Sequence, residues 1–350
     1  MKNLLRLIAL AAVLASGAAR AQYTDGIIKI GVMNDMSGTY KDLSGQGSVL
    51  AARMAVEDFG AATKGMKVEI VGADHQNKPD VGSNVVRTWI DTDKVDVIVD
   101  VPTSSVALAV NEIVRDKNKV FLVSGAAASD LTGPQCTPNT IHWTYDTWAL
   151  ANGTGKAIVK TGGDTWFFIT ANYAFGLALE RDTAAVVVKN GGKVLGQVRH
   201  PFPATDFSSF LLQAQASKAK VIGLANAGAD TINSIKQASE FGIVQGGQSL
   251  AGLLVFITDV KSLGLQIAQG LVLTEAWYWD QNDANREFAK KFAAQNNGIY
   301  PSMVHAGVYS AVTHYLKAVE ALKSDADGKA VVAKMKEMPT NDKLFGQGTV

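Results

Sequence analysis

The stretch Val95-Asp96-Val97-Ile98-Val99-Asp100-Val101-Pro102-Thr103-Ser104-Ser105 decides the fold. A run dense in β-branched residues, Val95–Val101, reads as a strand and passes through a short polar loop into Val106, Val110, Ile113 and Val114 at helical spacing. A strand this rich in Val and Ile is expected to be buried on both faces, as in a parallel sheet covered by helices.

The same unit recurs on both sides. Upstream, Ile27–Met33 reads as the first strand, and Val49, Ala52, Val56 and Phe59 mark a helix face. Val68–Val71 follows as a second strand, then Val81, Val85 and Trp89 as the next helix. Downstream, Val120–Val123 is the fourth strand, which completes one doubly wound lobe. After a loop rich in Gly, Pro and Thr (Thr132–Thr140), the alternation restarts with Trp166–Thr170, Val194–Val198, Val221–Ala225, Leu250–Phe256 and Leu271–Thr274. The fold class is therefore α/β, with two doubly wound, Rossmann-like lobes. A chain of 350 residues is also long for one hydrophobic core. From Asp283 the pattern is helical, with Phe288 and Phe292 one turn apart and Val304, Val308, Ala311, Tyr315 and Val319 on one stripe. Periodicity does not say which lobe those helices cover.

The start of the chain addresses the compartment. Lys2 and Arg6 precede an apolar run, Leu7–Ala19, that ends in Ala19-Arg20-Ala21. This pattern predicts a secretory signal peptide over 1–21, cut before Gln22. The run is shorter than the ~20 residues of a spanning helix, and no later stretch is long and apolar enough to span a bilayer. Removing the leader takes Lys2, Arg6 and Arg20 from 33 basic residues and none from 32 acidic ones, leaving a slight acidic surplus. No basic surplus points to nucleic acid. Cys136 is the single cysteine, so the chain contains no pair for an intrachain disulfide or a thiolate metal cluster.

Open α/β sheets bind ligands at the carboxyl ends of their strands, so the loops after the strands hold the candidate residues. Pro102-Thr103-Ser104-Ser105 offers hydroxyls and N–H groups at a helix start, which suit a carboxylate; ordinary N-capping by Ser104 or Thr103 explains the same residues. Ser124-Gly125-Ala126-Ala127-Ala128-Ser129 is small enough to leave backbone polar groups open to a ligand, or simply to pack tightly.

Gly31-Val32-Met33-Asn34-Asp35-Met36-Ser37-Gly38, followed by Ala51-Ala52-Arg53-Met54-Ala55 and these two loops, resembles the leucine/isoleucine/valine-binding family of type I periplasmic solute receptors. The resemblance covers nearly all of the mature chain. It implies two lobes joined by a hinge of three crossings: 22–146 and 277–340 in the first lobe, 147–276 in the second. Residues 341–350 are then a hinge return toward the second lobe, cut short, with the third crossing and any partner of Cys136 beyond it. The helices from Asp283 would belong to the first lobe.

By the same resemblance, Ser104, Ser105, Ala126 and Ala128 hold the ligand's carboxylate and amino group. Tyr173 supplies an aromatic contact from the second lobe, and Asn226 stands where branched-chain receptors often carry a tyrosine. Phe256 lies in the loop where such receptors present an acid to the ligand ammonium, so the expected carboxylate is missing. A buried ammonium without a carboxylate is costly to desolvate. Phe256, Tyr173 and Trp277 would suit a flat apolar body such as an aromatic acid. Hinge packing is an equal reading of Trp277, and Asp259 or Glu275 stay open as partners of an ammonium.

The function implied is a monomeric periplasmic substrate-binding protein of an ABC importer. It closes on a small carboxylate, either an aromatic or hydrophobic acid or a branched-chain amino acid, and hands it to an inner-membrane permease. No cofactor and no metal are implied. The rival is a secreted α/β enzyme with a non-standard site. Against it, Gly153-Thr154-Gly155-Lys156 is too short for a P-loop, there is no G-x-S-x-G or H-E-x-x-H motif, and the five histidines are scattered. Replacing Ser104 and Ser105 by Ala is expected to weaken a carboxylate ligand while leaving folding largely intact.

Overall fold

A computed structural model describes residues 23–350; the predicted leader lies outside the described residues. Five parallel strands form the first sheet: β1 (Ile28–Asn34), β2 (Val68–Asp74), β3 (Val97–Asp100), β4 (Val120–Val123) and β5 (Thr140–His142), in the order β2-β1-β3-β4-β5. β3 and β4 are buried along their whole length, whereas the edge strand β2 is half exposed. Strand alternation sends Val97 and Val99 to one face and Ile98 to the other, so two cores form around one sheet. Helices α1 (Gly45–Phe59), α2 (Pro79–Asp91) and α3 (Ser104–Asp116) supply much of both cores.

In the second lobe a short helix α4 (Thr147–Leu150) passes through a π-helical turn, Ala151–Gly155, into α5 (Lys156–Lys160). Gly153-Thr154-Gly155 thus sits inside a helical segment rather than in a strand-to-helix loop. Strands β6 (Thr165–Ala171), β7 (Lys193–His200), β8 (Val221–Ala225) and β9 (Ser249–Gly252) are parallel in the order β7-β6-β8-β9. Around them lie α6 (Ala174–Lys189), α7 (Ser208–Ala216), α8 (Ala229–Glu240), α9 (Ile257–Leu263) and α10 (Leu265–Ala268).

Two strand expectations need correction. Leu271–Thr274 joins no sheet; it lies on the path back between the lobes, where Thr274 Oγ1 is 2.8 Å from Thr154 Oγ1. Of Leu250–Phe256 only the first residues pair, and the chain leaves the sheet after Gly252 while Leu253–Phe256 stay buried. Leu253–Phe256 are apolar because they pack buried beside the cleft, whereas Leu271–Thr274 is only partly buried, with Val272 exposed. β5 escaped the sequence reading because three residues carry too little alternation to register.

The last helices, α11 (Asp283–Gln295), α12 (Met303–Leu322) and α13 (Gly328–Glu337), cover the first sheet. His305, at the start of α12, explains why they go there. Its Nδ1 accepts from Ser302 N at 3.0 Å, its Nε2 donates to Ser44 O at 2.8 Å, and its ring stacks on Phe292. A Cβ on Gly47 would sit 2.5 Å from that ring, so the bare glycine lets α1 and α12 approach. Burial lowers the His305 pKa to about 4, which keeps the imidazole neutral. At the chain end, Asp342 and Gly346 bridge, Lys343 pairs with Asp58 at 3.1 Å, and Leu344 is buried against the first lobe.

Candidate ligand-binding cleft

Both sheets place their first strand between neighbours reached in opposite directions: β1 lies between β2 and β3, and β6 between β7 and β8. Loops diverge at such a switch point and leave a crevice at the carboxyl ends of the strands. Here the two crevices face each other. The cleft where they meet is lined from the first lobe by Tyr40, Leu43, Pro102, Gly125 and Tyr145. The second lobe contributes Tyr173, Phe175, Ala227, Leu254 and Phe256.

Asp100 and Val101 end β3 with φ of 81° and 56°. A β-branched residue in the left-handed region is strained, and strain of this kind collects at functional sites. Burial of Val101 and its N–H bond to Met33 O, 2.8 Å, hold it there. The turn brings Pro102 to the cavity and starts α3 at Ser104. Neither candidate capping residue caps this helix: the Thr103 hydroxyl donates to Asn77 Oδ1, and Ser104 Oγ accepts from Ala127 N at 3.3 Å and Ala128 N at 3.2 Å. The Ser104 hydroxyl proton therefore stays available. So do the N–H groups of Ser104, Ser105 and Val106, which find no protein acceptor among the described residues.

The loop after β4 is pinned by its carbonyls. Gly125 O accepts from Tyr145 Oη at 2.8 Å, Ala126 O from His142 Nε2 at 2.7 Å and Ala127 O from Thr147 N at 2.8 Å. The Ala126 N–H and the buried Ser124 Oγ are left without a protein partner among the described residues. Donors in excess of acceptors, beside an uncapped helix start, suit an anion. Because Ser104 also serves two buried N–H groups, its replacement by Ala must disturb the fold, against the expectation from sequence.

Closure contacts cross the seam on two sides. Tyr40 and Tyr173 share a short hydroxyl–hydroxyl bond, with Phe202 stacked on both rings. Beside them Ala229 N donates to Thr39 O at 3.2 Å. Elsewhere Arg181 meets Asp130 at 3.0 Å, and Ser129 Oγ donates to Asp182 at 2.7 Å. Burial pushes the Tyr40 and Tyr173 pKa values upward, so both phenols are neutral.

Of the residues singled out from sequence, Tyr173 and Phe256 line the cavity, whereas Ser104, Ala126 and Ala128 are fully buried near the lining residues Pro102 and Gly125 and do not themselves line it. Ser105 is half buried beside them. Asn226 does not face the cavity: its Nδ2 donates to Ser234 Oγ and His200 Nε2, and its Oδ1 accepts from Thr231, so Ala227 takes the lining place. Trp277 packs edge-on against Phe288 in the core. Asp259 caps its own helix by accepting from Phe256 N at 3.0 Å, and burial raises its pKa to about 7. Glu275 is pushed upward by burial and leaves Oε2 unpartnered. Sequence reasoning missed Tyr40 and Tyr145; the loop after the first strand could have pointed to Tyr40, whereas Tyr145 has no local signal.

Two α/β lobes closed over a small cavity, with donors on one wall and aromatic rings on the others, define a solute receptor. The profile described as periplasmic binding protein matches residues 27–350, and the chain belongs to that family. A periplasmic binding protein from Burkholderia mallei is 51% identical, with 93% of this chain and 86% of that one covered and a TM-score of 0.90. A branched chain amino acid ABC transporter periplasmic ligand-binding protein from Burkholderia xenovorans LB400 is 39% identical, with 91% and 84% covered and a TM-score of 0.79. An ABC transporter solute binding protein from R. palustris, in complex with benzoate, shares the fold at 23% identity, with 93% and 89% covered and a TM-score of 0.84. The chain is thus an ABC-transporter binding protein that delivers a small molecule to a permease, a class without catalysis.

Proposed function

We propose that the ligand is a small carboxylate with a flat apolar body, an aromatic acid. One observation carries this reading: five of the ten residues lining the cavity are aromatic and none is acidic or basic. The carboxylate sits against Ser104, Ser105, Ala126 and Ala128, where unused donors converge, and the ring lies among Tyr145, Phe256 and Tyr173. The benzoate held by the R. palustris protein is a ligand of this chemistry. In this reading the leader 1–21 exports the chain to the periplasm, where it works as a monomer. Residues 22–146 and 277–340 form the docking lobe, and 147–276 the lobe that swings over it. A closing ligand acts by its higher affinity for the closed state.

A second reading, a branched-chain amino acid, is favoured by the unpartnered Glu275 Oε2, which an ammonium would satisfy. A thermal-shift panel on protein unfolded and refolded to strip carried-over ligand separates the two. At a hundred times its dissociation constant a ligand adds about 2.7 kcal/mol, a shift of several degrees. Stabilisation by benzoate, 4-hydroxybenzoate or coumarate and not by leucine, isoleucine or valine is expected. Stabilisation by leucine alone overturns the aromatic reading.

A further inference from the structure

We propose that Asp100 sets the charge the cleft accepts: it lies un-ionised beneath the carboxylate site, so a carboxylate ligand binds together with a proton held on Asp100. The inference rests on the carboxylate docking at Ser104 and Ala126.

The geometry comes first. Asp100 ends β3, buried, four residues before Ser104. A Cβ on Gly125 would sit 2.7 Å from Asp100 Oδ1, so this cavity-wall residue rests directly on the carboxyl group. Among the described residues Oδ1 has no partner, Asn34 Nδ2 lies 3.5 Å from Oδ2, and the Ser48 hydroxyl and Asn34 amide favour the ionised form less than burial opposes it. These neighbours all belong to the first lobe, so the carboxyl stays covered when the second lobe swings away.

The groups facing it leave nothing to balance a negative charge. From β1 comes Asn34 and from α1 comes Ser48, both uncharged, and no lysine or arginine contributes. Tyr145, after β5, donates to Gly125 O on the same floor and is kept neutral by burial. His142 donates to Ala126 O, and burial lowers its pKa. Beyond Tyr145 lie Asp259 and Glu275, two further carboxyls with raised pKa values. Burial pushes Asp100 up to about 7. A ligand carboxylate arriving beside it raises it further, because two neighbouring negative charges in a buried site cannot both persist.

The sign follows. Below about pH 7 Asp100 is already neutral and carboxylate affinity is flat; above it binding takes up a proton, and affinity falls by up to about tenfold per pH unit. A ligand whose ammonium pairs with ionised Asp100 gives the opposite slope.

Isothermal titration of benzoate and leucine into the mature chain and the Asp100→Asn variant, from about pH 6 to pH 8.5, tests this. The expected result is a falling benzoate affinity above about pH 7, with heats that depend on the buffer's ionisation enthalpy, and a flat profile without proton uptake in the variant. A flat wild type, or a slope that survives Asp100→Asn, overturns the inference and leaves the aromatic reading standing. If leucine binds and benzoate does not, the aromatic reading falls; a falling leucine affinity abolished by Asp100→Asn still supports Asp100, and a rising one overturns it. A ligand-free arm decides if neither probe binds. Asp100→Asn should melt above wild type near pH 8 and together with it near about pH 4, since wild type alone carries a buried acid that resists ionisation. Equal melting at both pH values overturns the inference.

Discussion

Replacing Ser104 by Ala tests how the first wall of the cleft is built. The substitution removes one buried oxygen that accepts two backbone N–H bonds, from Ala127 at 3.3 Å and Ala128 at 3.2 Å. An orphaned buried donor costs about 1–3 kcal/mol, and bonds this long sit at the low end, so the pair amounts to about 2 kcal/mol. At ~2–4 °C per kcal/mol for a large domain, the melting temperature should fall by about 4–8 °C. The same hydroxyl is the proposed donor to the ligand carboxylate, and losing a charge-assisted bond of about 1.5–3 kcal/mol lowers affinity about 10- to 100-fold. Ser105→Ala is the control: that side chain is half buried and makes no hydrogen bond among the described residues, so its stability should stay within about 0.5 kcal/mol of wild type. Circular-dichroism melting and calorimetry with benzoate read both quantities. A Ser104→Ala protein that melts like wild type, or a Ser105→Ala protein that loses as much, refutes the assignment of Ser104 as the anchor of the 126–128 loop.

Gly228→Ala should hinder closure, because Gly228 has φ +59° and a Cβ there would lie 2.5 Å from Thr39 O across the seam. Strain of about 1–3 kcal/mol, charged mainly against the closed form, predicts an affinity loss of about tenfold or more. Small-angle scattering with saturating ligand that shows full compaction at unchanged affinity would count against it. The buried imidazoles of His305 and His75, both lowered from 6.5 to about 4, predict acid sensitivity. Their neutral forms contribute stability fully present above about pH 6.5 and lost as pH falls through about 4, on the order of 3 kcal/mol for each. Denaturant midpoints measured in steps across that window check this, and a flat profile would mean the imidazoles are not held neutral.

How much of this could be seen in advance differs from element to element. Val97–Val99 and Val120–Val123 were legible as strands because a strand buried on both faces is apolar along its run. Leu250–Phe256 misled for the same reason, since burial beside the cleft writes the same apolar run as burial in a sheet; Leu271–Thr274 misled because a short apolar run need not be buried at all. Ser104 and the Ala126–Ala128 loop were legible as loop residues at the carboxyl ends of strands, where a ligand would be sought. Asn226 was legible as a loop residue and misassigned, because its side chain has three partners, His200, Thr231 and Ser234, that lie far from it or behind it in the chain's own turn.

By itself the sequence determined the α/β class, the two lobes and the loops at which a ligand would be met, because periodicity and loop position are local properties that each segment carries alone. Only the tertiary structure decided which residues face the cavity, that Tyr40 meets Tyr173 across the seam, and that Asp100 lies unpaired beneath Gly125. Those outcomes depend on which segments distant in sequence come to share one buried space, and on what each polar atom finds there when water is gone.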